Sequence, residues 1–206
     1  PHQAAGARRL LANRGGLLAF DVGVGKTYTG LAVLARARQE GWCKRPVIVV
    51  PNSIVWKWSD DIVRVLPDYR VAVIGSKQTV LQRGPRKCEM SSVTDSPAER
   101  AAKWGRFQSG ELDVVLLTYS AFPRTALSSE TVTRYAERTT AIQREVRLRQ
   151  RNASKAKKLS ERQEAVLAEG VKAWVAERLE LPPGWKPDPG IVWGDLGIDL
   201  LIVDEA

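Results

Sequence analysis

The chain has 206 residues, 44% of them apolar, enough for one α/β domain with a core or for one domain carrying a large insertion, but too few for two full domains. Its formal net charge of +9 favours a polyanionic partner such as nucleic acid. Two cysteines and one histidine exclude a disulfide framework and a structural zinc site, and no apolar run approaches the roughly 18 residues of a membrane span.

The first third of the chain alternates between helical and strand patterns. Helix, buried strand, helix and buried strand are predicted in turn at residues 8–12, 17–20, 26–40 and 47–50. Pro51 ends the second strand, and Asn52 or Ser53 can cap a helix over residues 54–66. Trp58 lies on the apolar face of that helix and is expected in the core rather than stacked on a base.

Beyond a third predicted strand, residues 71–74, the pattern becomes irregular. Residues 75–95 are polar and contain glycine and proline, so we predict an irregular connection. Ser96-Pro97 followed by Glu99 predicts the start of a helix that ends near Gly110. Two further strands are predicted at residues 114–117 and 200–203. Strands that alternate with helices imply a parallel sheet covered on both faces.

A charged segment separates the last two predicted strands, over about residues 123–196. Residues 134–178 favour helix and contain twelve basic and six acidic residues, so they carry most of the net positive charge. We predict a helical insertion. Its basic charge is open to two interpretations, direct DNA contact through counterion release or a solvated or docking surface for another domain.

The strongest chemical signal is a glycine-rich loop between the first strand and the following helix. Backbone N–H groups of such a loop surround phosphate oxygens, Lys26 neutralises the β- and γ-phosphates, and Thr27 ligates Mg²⁺. The predicted nucleotide-binding residues are Gly23, Val24, Gly25, Lys26 and Thr27. The strict pattern has a further glycine where this chain has Phe20, and a glycine-rich turn followed by Lys-Thr by chance is the alternative.

The second signal is an acidic pair at the end of the last strand. Asp204 is expected to hold Mg²⁺ through water, and Glu205 to orient and deprotonate the water that attacks the γ-phosphate. Ligands of open α/β sheets bind at this end of the strands. Taken alone, an acidic pair in a surface loop is equally compatible with the pattern.

Four segments in order resemble motifs I, Ia, Ib and II of superfamily two helicases, best of all their Swi/Snf-type branch: residues 21–27, 49–53, 117–120 and 203–206. The resemblance implies a RecA-like lobe, and short Gly-x-Gly-Lys-Thr loops occur in helicase-like ATPases. Residues 114–122, the charged segment and residues 196–199 are similar to the helicase-like part of adenine-methylase-linked proteins of phages and plasmids.

That resemblance also assigns roles to individual residues. Gln3 matches a glutamine that pairs with the adenine edge, which implies ATP, although an exposed glutamine near a terminus is the simpler alternative. The segments at the strand ends are expected to offer hydroxyl, amide and backbone groups to nucleic-acid phosphates: Pro51, Asn52, Ser53, Thr118 and Tyr119. For Asn52 and Ser53, helix capping is the alternative.

The combined prediction is one RecA-like lobe spanning residues 1–206, part of a longer cytoplasmic protein from a bacterial or phage-infected cell. With ATP and Mg²⁺ it would drive movement on DNA, preferably double-stranded. A second RecA-like lobe in the parent chain would supply an arginine, and a methylase domain could be linked. We expect negligible hydrolysis by these 206 residues alone. The alternatives are a phosphate-loop ATPase or kinase with another substrate, and a non-catalytic DNA-binding scaffold.

Overall fold

The computed structural model describes residues 2–82, 88–128, 130, 131, 134 and 186–205. The chain divides into two compact units, Pro1–Thr125 with Asp188–Ala206, and Ala126–Pro187. Apart from Arg134, the predicted helical segment of residues 134–178 lies outside the described residues, so its character stays a prediction.

The first unit contains both helices and strands. In chain order they are α1 (His2–Asn13), α2 (Lys26–Gln39), β1 (Pro46–Val50), α3 (Val55–Val65), β2 (Val71–Ile74), β3 (Lys77–Gln82), β4 (Cys88–Val93), α4 (Pro97–Gln108), β5 (Val114–Thr118) and β6 (Leu200–Val203), with short 3₁₀ helices at Phe122–Arg124 and Trp193–Leu196. No helix in the described part of the chain is long and apolar enough to cross a membrane.

Four strands form one parallel sheet in the order β2-β5-β1-β6. All five residues of β1 and all five of β5 are buried, as expected for central strands whose two faces are both covered. In β1, Ile48 and Val50 face a core cluster that contains residues of α2 and α3, whereas Val47 and Val49 face a second cluster with residues of α4. The predicted RecA-like α/β class, a parallel sheet flanked by helices, is confirmed.

The start of α4 is formed by a reciprocal cap. The Ser96 Oγ accepts a hydrogen bond from the Glu99 backbone N–H at 3.3 Å, and the Glu99 carboxylate accepts one from the Ser96 backbone N–H at 2.7 Å. Pro97 occupies the first turn, where backbone N–H groups have no partner within the helix, so the N–H that proline lacks costs no hydrogen bond. The helix ends at Gln108, close to the predicted stop at Gly110.

The predicted strand at residues 17–20 is wrong, because these residues adopt no regular secondary structure. A strand requires a hydrogen-bonding neighbour. Within the described chain β6 is an edge strand that pairs only with β1, so residues 17–20 are not paired with it. Leu17 is 86% exposed. Phe20 instead packs on α1, where its ring meets the His2 ring edge-on and lies so close to Gly6 that a Cβ there would be 2.8 Å from it.

The predicted irregular connection at residues 75–95 is also wrong, because β3 and β4 form an antiparallel hairpin. Its pairs include Thr79 opposite Ser91 and Val80 opposite Met90. Val80 and Met90 are each 62% exposed, so this cross-strand pair does not give the alternation of buried apolar and exposed polar residues by which a strand is recognised in sequence. Backbone pairing forms the strands here, and composition alone does not reveal it.

Candidate active site

Three parallel strands bring the predicted site segments to one edge of the sheet. Val50 of β1 is in register with Thr118 of β5, and Val49 with Val203 of β6. The residues that follow each strand therefore emerge side by side. This juxtaposition unites the segments predicted to contact nucleic acid with the acidic pair.

The glycine-rich loop leads directly into α2. Gly23 and Gly25 have φ of 82° and 89°, in the left-handed region that favours glycine, and Gly25 is the N-cap residue of α2. A Cβ on Gly25 would lie 2.0 Å from the Gln3 Nε2, so space as well as backbone conformation requires glycine. The unpaired N–H groups of the first helical turn adjoin this loop and suit an anion.

Lys26 folds back on the loop that precedes it. Its Nζ donates to the carbonyl oxygens of Phe20 and Asp21, each at 3.1 Å, which keeps the ammonium group within the curve of the loop. Thr27 follows on the first turn of α2 and is half-buried. The loop thus combines a cation, a hydroxyl and a helix N-terminus, the groups that a polyphosphate requires.

Gln3 contacts the loop. Its Nε2 donates to the Val24 carbonyl oxygen at 3.2 Å, and the His2 Nε2 lies 3.0 Å from the same oxygen. The N-terminal helix is thereby tied to the loop. Pairing of Gln3 with adenine stays a prediction.

Close packing brings the start of α2 against β6. A Cβ on Gly30 would lie 3.5 Å from Trp58 and 3.9 Å from Ile202, so glycine permits close contact between α2, α3 and β6. Lys26 lies four residues earlier, about 6 Å along the helix axis. Ile202 is two residues before Asp204. The loop and the acid therefore occupy the same region of the sheet edge.

Asp204 is held by two aromatic side chains. Trp58 Nε1 donates to its Oδ2 at 2.8 Å, and the Tyr119 hydroxyl donates to its backbone carbonyl at 2.6 Å. Trp58 is 3% exposed, which confirms its predicted place in the core. Sequence reasoning missed both hydrogen bonds, because an apolar helical face does not show where the indole N–H points. Among the described residues, the hydrogen bond to this carboxylate is accepted by Oδ2, so Oδ1 is available to a ligand.

The environment of Tyr119 keeps its phenol protonated. Burial raises the pKa of Tyr119, and the negative charges of Asp204 and Glu205 raise it further. The hydroxyl therefore remains a hydrogen-bond donor at neutral pH. Glu205 itself is exposed and has a φ of 57°, in the left-handed region that side chains other than glycine seldom adopt.

Asn52 and Ser120 join the two segments predicted to contact nucleic acid. The Asn52 Nδ2 donates to the Ser120 Oγ at 2.9 Å, and both residues are exposed. Helix capping by Asn52 or Ser53 is wrong, because Ile54 is the N-cap residue of α3 and no side chain caps it. Ser120 lies in the segment 117–120 but was not among the predicted site residues, and its contact with Asn52 adds it to the site.

The remaining predicted contact residues differ in exposure. Ser53 is exposed and Pro51 is half-buried, whereas Thr118 is fully buried. The Thr118 hydroxyl lies 3.1 Å from the Ser120 Oγ and accepts from the Ala121 backbone N–H at 3.3 Å. The structure thus places Thr118 beneath the surface, where it supports Ser120.

The oxygen ligands at this edge fit magnesium. The Thr27 hydroxyl and the Asp204 carboxylate are hard oxygen donors, which Mg²⁺ prefers. One hydroxyl and one carboxylate would leave the remaining positions of an octahedral Mg²⁺ to phosphate oxygens and water, the usual arrangement for Mg²⁺ with a nucleotide.

Relatives of the chain include two much longer yeast proteins. It is 40% identical over 67 residues to the ATP-dependent helicase ULS1 of Saccharomyces cerevisiae, a match covering 30% of this chain and 4% of that protein. It is 30% identical over 105 residues to the transcription regulatory protein SNF2 of the same yeast, covering 50% of this chain and 5% of that protein.

A solved structure and a family model also match. The structure is the Sulfolobus solfataricus SWI2/SNF2 ATPase core in complex with dsDNA, 22% identical with a TM-score of 0.40, covering 58% of this chain and 21% of the other. The model of the SNF2-related domain matches residues 3–170, well over half of the chain. The chain therefore belongs to the SNF2-related domain family.

Proposed function

We propose that this chain is the ATP-binding lobe of an ATP-dependent motor that translocates on double-stranded DNA. The observation that carries the proposal is the packing of α2, the helix that follows the loop of Lys26, against β6, the strand that leads to the acids at 204 and 205. Gly30 of α2 lies against Trp58 and Ile202, and Trp58 donates a hydrogen bond to Asp204. Family membership supports it, and so does the similarity to two yeast proteins, an ATP-dependent helicase and a transcription regulatory protein.

The loop and the acidic pair divide the chemistry between them. Lys26 and the backbone N–H groups of the loop bind the triphosphate, and the Gln3 side-chain amide pairs with the adenine edge. Thr27 and Asp204 would hold Mg²⁺, which when bound neutralises phosphate charge. Glu205 orients the attacking water and accepts its proton.

Nucleic acid contacts the neighbouring part of the same edge. The exposed Asn52, Ser53 and Ser120 offer amide, hydroxyl and backbone groups to phosphates, and the buried Thr118 supports Ser120 from beneath. Such contacts position a protein on the duplex without reading its sequence. The net charge of +9 favours the same partner.

The parent protein, in this proposal, contains a second RecA-like lobe that closes over ATP and contributes an arginine. Cycles of closure and opening then move the protein along the phosphate backbone. A linked adenine methylase and a phage or plasmid origin are suggested by residues 114–122 and 196–199. Those two segments are the support for this finer assignment.

Replacement of Lys26 by alanine tests the proposal. In the full-length protein, Lys26→Ala should lower DNA-stimulated ATP hydrolysis by roughly 100-fold or more, since it removes the cation that stabilises phosphate charge. A steady-state phosphate-release assay with and without duplex DNA measures the change. Lys44→Ala is the matched control, because Lys44 is an exposed lysine that precedes β1 at the opposite edge of the sheet.

Two outcomes would contradict the proposal. Wild-type hydrolysis that does not respond to DNA would indicate an ATPase with another substrate. Full function of the Lys26→Ala variant would indicate a non-catalytic scaffold that binds DNA without using ATP.

A further inference from the structure

Tyr119 occupies the position where β5 ends beside β1. Its backbone N–H donates to the Val50 carbonyl oxygen at 3.0 Å, and the residue is half-buried. The backbone of this residue is therefore fixed to the central strands of the sheet.

The hydroxyl of Tyr119 is directed to the acidic segment. It donates a hydrogen bond to the Asp204 carbonyl at 2.6 Å, within the ordinary range for an O–H donor. The Asp204 backbone N–H in turn donates to the Val49 carbonyl at 3.0 Å. Because the hydroxyl proton is engaged by Asp204, it is not presented to a nucleic-acid phosphate.

The accepting carbonyl belongs to the peptide bond that leads into Glu205. A peptide unit is planar, so a hydrogen bond to its oxygen restrains the orientation of the whole unit. Glu205 has a φ of 57°, which residues other than glycine keep only where their surroundings hold them. The Tyr119 hydroxyl provides a restraint of this kind, because the oxygen to which it donates is separated from the Glu205 nitrogen only by the carbonyl carbon.

We propose that Tyr119 is a positioning residue for hydrolysis, which holds the peptide between Asp204 and Glu205 so that the Glu205 carboxylate extends from a fixed backbone. The inference rests on the proposed function, in which Glu205 orients the attacking water. Tyr119 acts through the backbone and touches neither water nor nucleotide. Contact with nucleic acid at this edge falls to the exposed neighbours Asn52 and Ser120.

Removal of one oxygen atom tests this role. Tyr119→Phe in the full-length protein keeps the ring and should lower kcat at saturating DNA about fivefold, the effect of one ordinary hydrogen bond. KM for ATP and the DNA concentration for half-maximal stimulation should stay within twofold. A rise in that DNA concentration with unchanged kcat would assign the hydroxyl to nucleic acid and overturn the proposal, as would unchanged kinetics.

A double-mutant cycle shows whether Tyr119 acts through Glu205. In the Glu205→Gln background, measured by single-turnover hydrolysis of radiolabelled ATP, Tyr119→Phe should slow the reaction by less than twofold. A further fivefold loss would mean that the two residues act independently and would refute the positioning role.

Controls separate this inference from the proposed function. Tyr69→Phe is the matched variant, because Tyr69 is half-buried against Arg38 just before β2, at the opposite edge of the sheet, and it should leave kcat unchanged. Normal kinetics of Tyr119→Phe alongside an inactive Lys26→Ala would refute the positioning role alone. Absence of DNA-stimulated hydrolysis in the wild type would refute both.

Discussion

At the scale of single residues, Trp58 lies in the hydrophobic core and also contacts a charged side chain. Its indole is 3% exposed and packs in the core between the sheet and α2. Its N–H lies at the rim of that core and donates to the Asp204 Oδ2 at 2.8 Å. An aromatic residue with one polar atom can thus join a hydrophobic core to a charged site. The bond fixes one carboxylate oxygen and thereby orients the other.

Replacement of Trp58 by phenylalanine should weaken the proposed binding of Mg²⁺ by Asp204. We expect the Mg²⁺ concentration for half-maximal binding of a fluorescent ATP analogue to rise roughly tenfold, as for other residues that hold a metal ligand in place. Trp104→Phe is the control, because Trp104 is equally buried but belongs to the cluster on the other face of the sheet. Equal Mg²⁺ dependence of the two variants would contradict a role for the indole N–H.

At the scale of secondary-structure elements, one side chain links α4 to the hairpin. Glu99 completes the cap of α4 and also forms an ion pair with Lys77 of β3 at 2.5 Å. Gly75, just before the hairpin, donates its backbone N–H to the buried carboxylate of Asp95, which also pairs with Lys103 of α4 at 2.7 Å. Polar contacts therefore anchor the hairpin to α4.

The charge of Glu99 gives this link a defined pH dependence. The Lys77 ammonium, followed by hydrogen bonds from Ser96, lowers the pKa of Glu99 from 4.5 to about 2. Because the folded-state pKa is depressed, the stabilisation is complete above about pH 4.5 and disappears as the pH falls towards 2. Glu99→Gln should therefore lower Tm at pH 7 and leave it nearly unchanged near pH 2.

Thermal unfolding followed by circular dichroism over this pH range measures the difference in Tm between wild type and variant. Asp60→Asn, which changes an exposed acid on α3, serves as the control. Its difference in Tm from the wild type should not shrink in the same way as the pH falls. A difference for Glu99→Gln that persists at pH 2 would show that packing, and not charge, is responsible.

At the scale of the whole molecule, a buried ion pair fixes the point at which the chain re-enters the first unit. Arg100 of α4 donates two hydrogen bonds to the Asp188 carboxylate, at 2.5 and 2.7 Å, and both side chains are 6% exposed. The Asp188 backbone N–H donates to the Arg124 carbonyl at 2.7 Å. Residues 124 and 188, which lie on either side of the second unit in sequence, are therefore held together.

Loss of one partner should destabilise the fold more than loss of both. Asp188→Leu leaves the Arg100 guanidinium buried without its counter-ion and should cost about 3–5 kcal/mol in the free energy of unfolding. The double variant Asp188→Leu with Arg100→Leu should recover much of this loss. Urea denaturation of the chain measures both.

An exposed pair provides the comparison. Arg106 and Glu111 are each more than half exposed, so Glu111→Gln should cost less than about 1 kcal/mol. A similar loss for Asp188→Leu and Glu111→Gln would contradict the role of burial.

By itself the sequence determined the features that depend on neighbouring residues. The glycines before Lys26, the cap at Ser96 and the aliphatic strands are local patterns, and they predicted the α/β class and the candidate chemistry. Local patterns also misled, since the apolar residues 17–20 resemble a strand but have no strand partner.

Only the tertiary structure decided the strand order, the hairpin and the contacts that hold Asp204. Trp58 and Tyr119 reach this acid across 146 and 85 residues of sequence. The physical reason is that a hydrogen bond depends on where two groups meet in space. The packing of the helices on the sheet brings these side chains together, and their spacing along the chain does not show it.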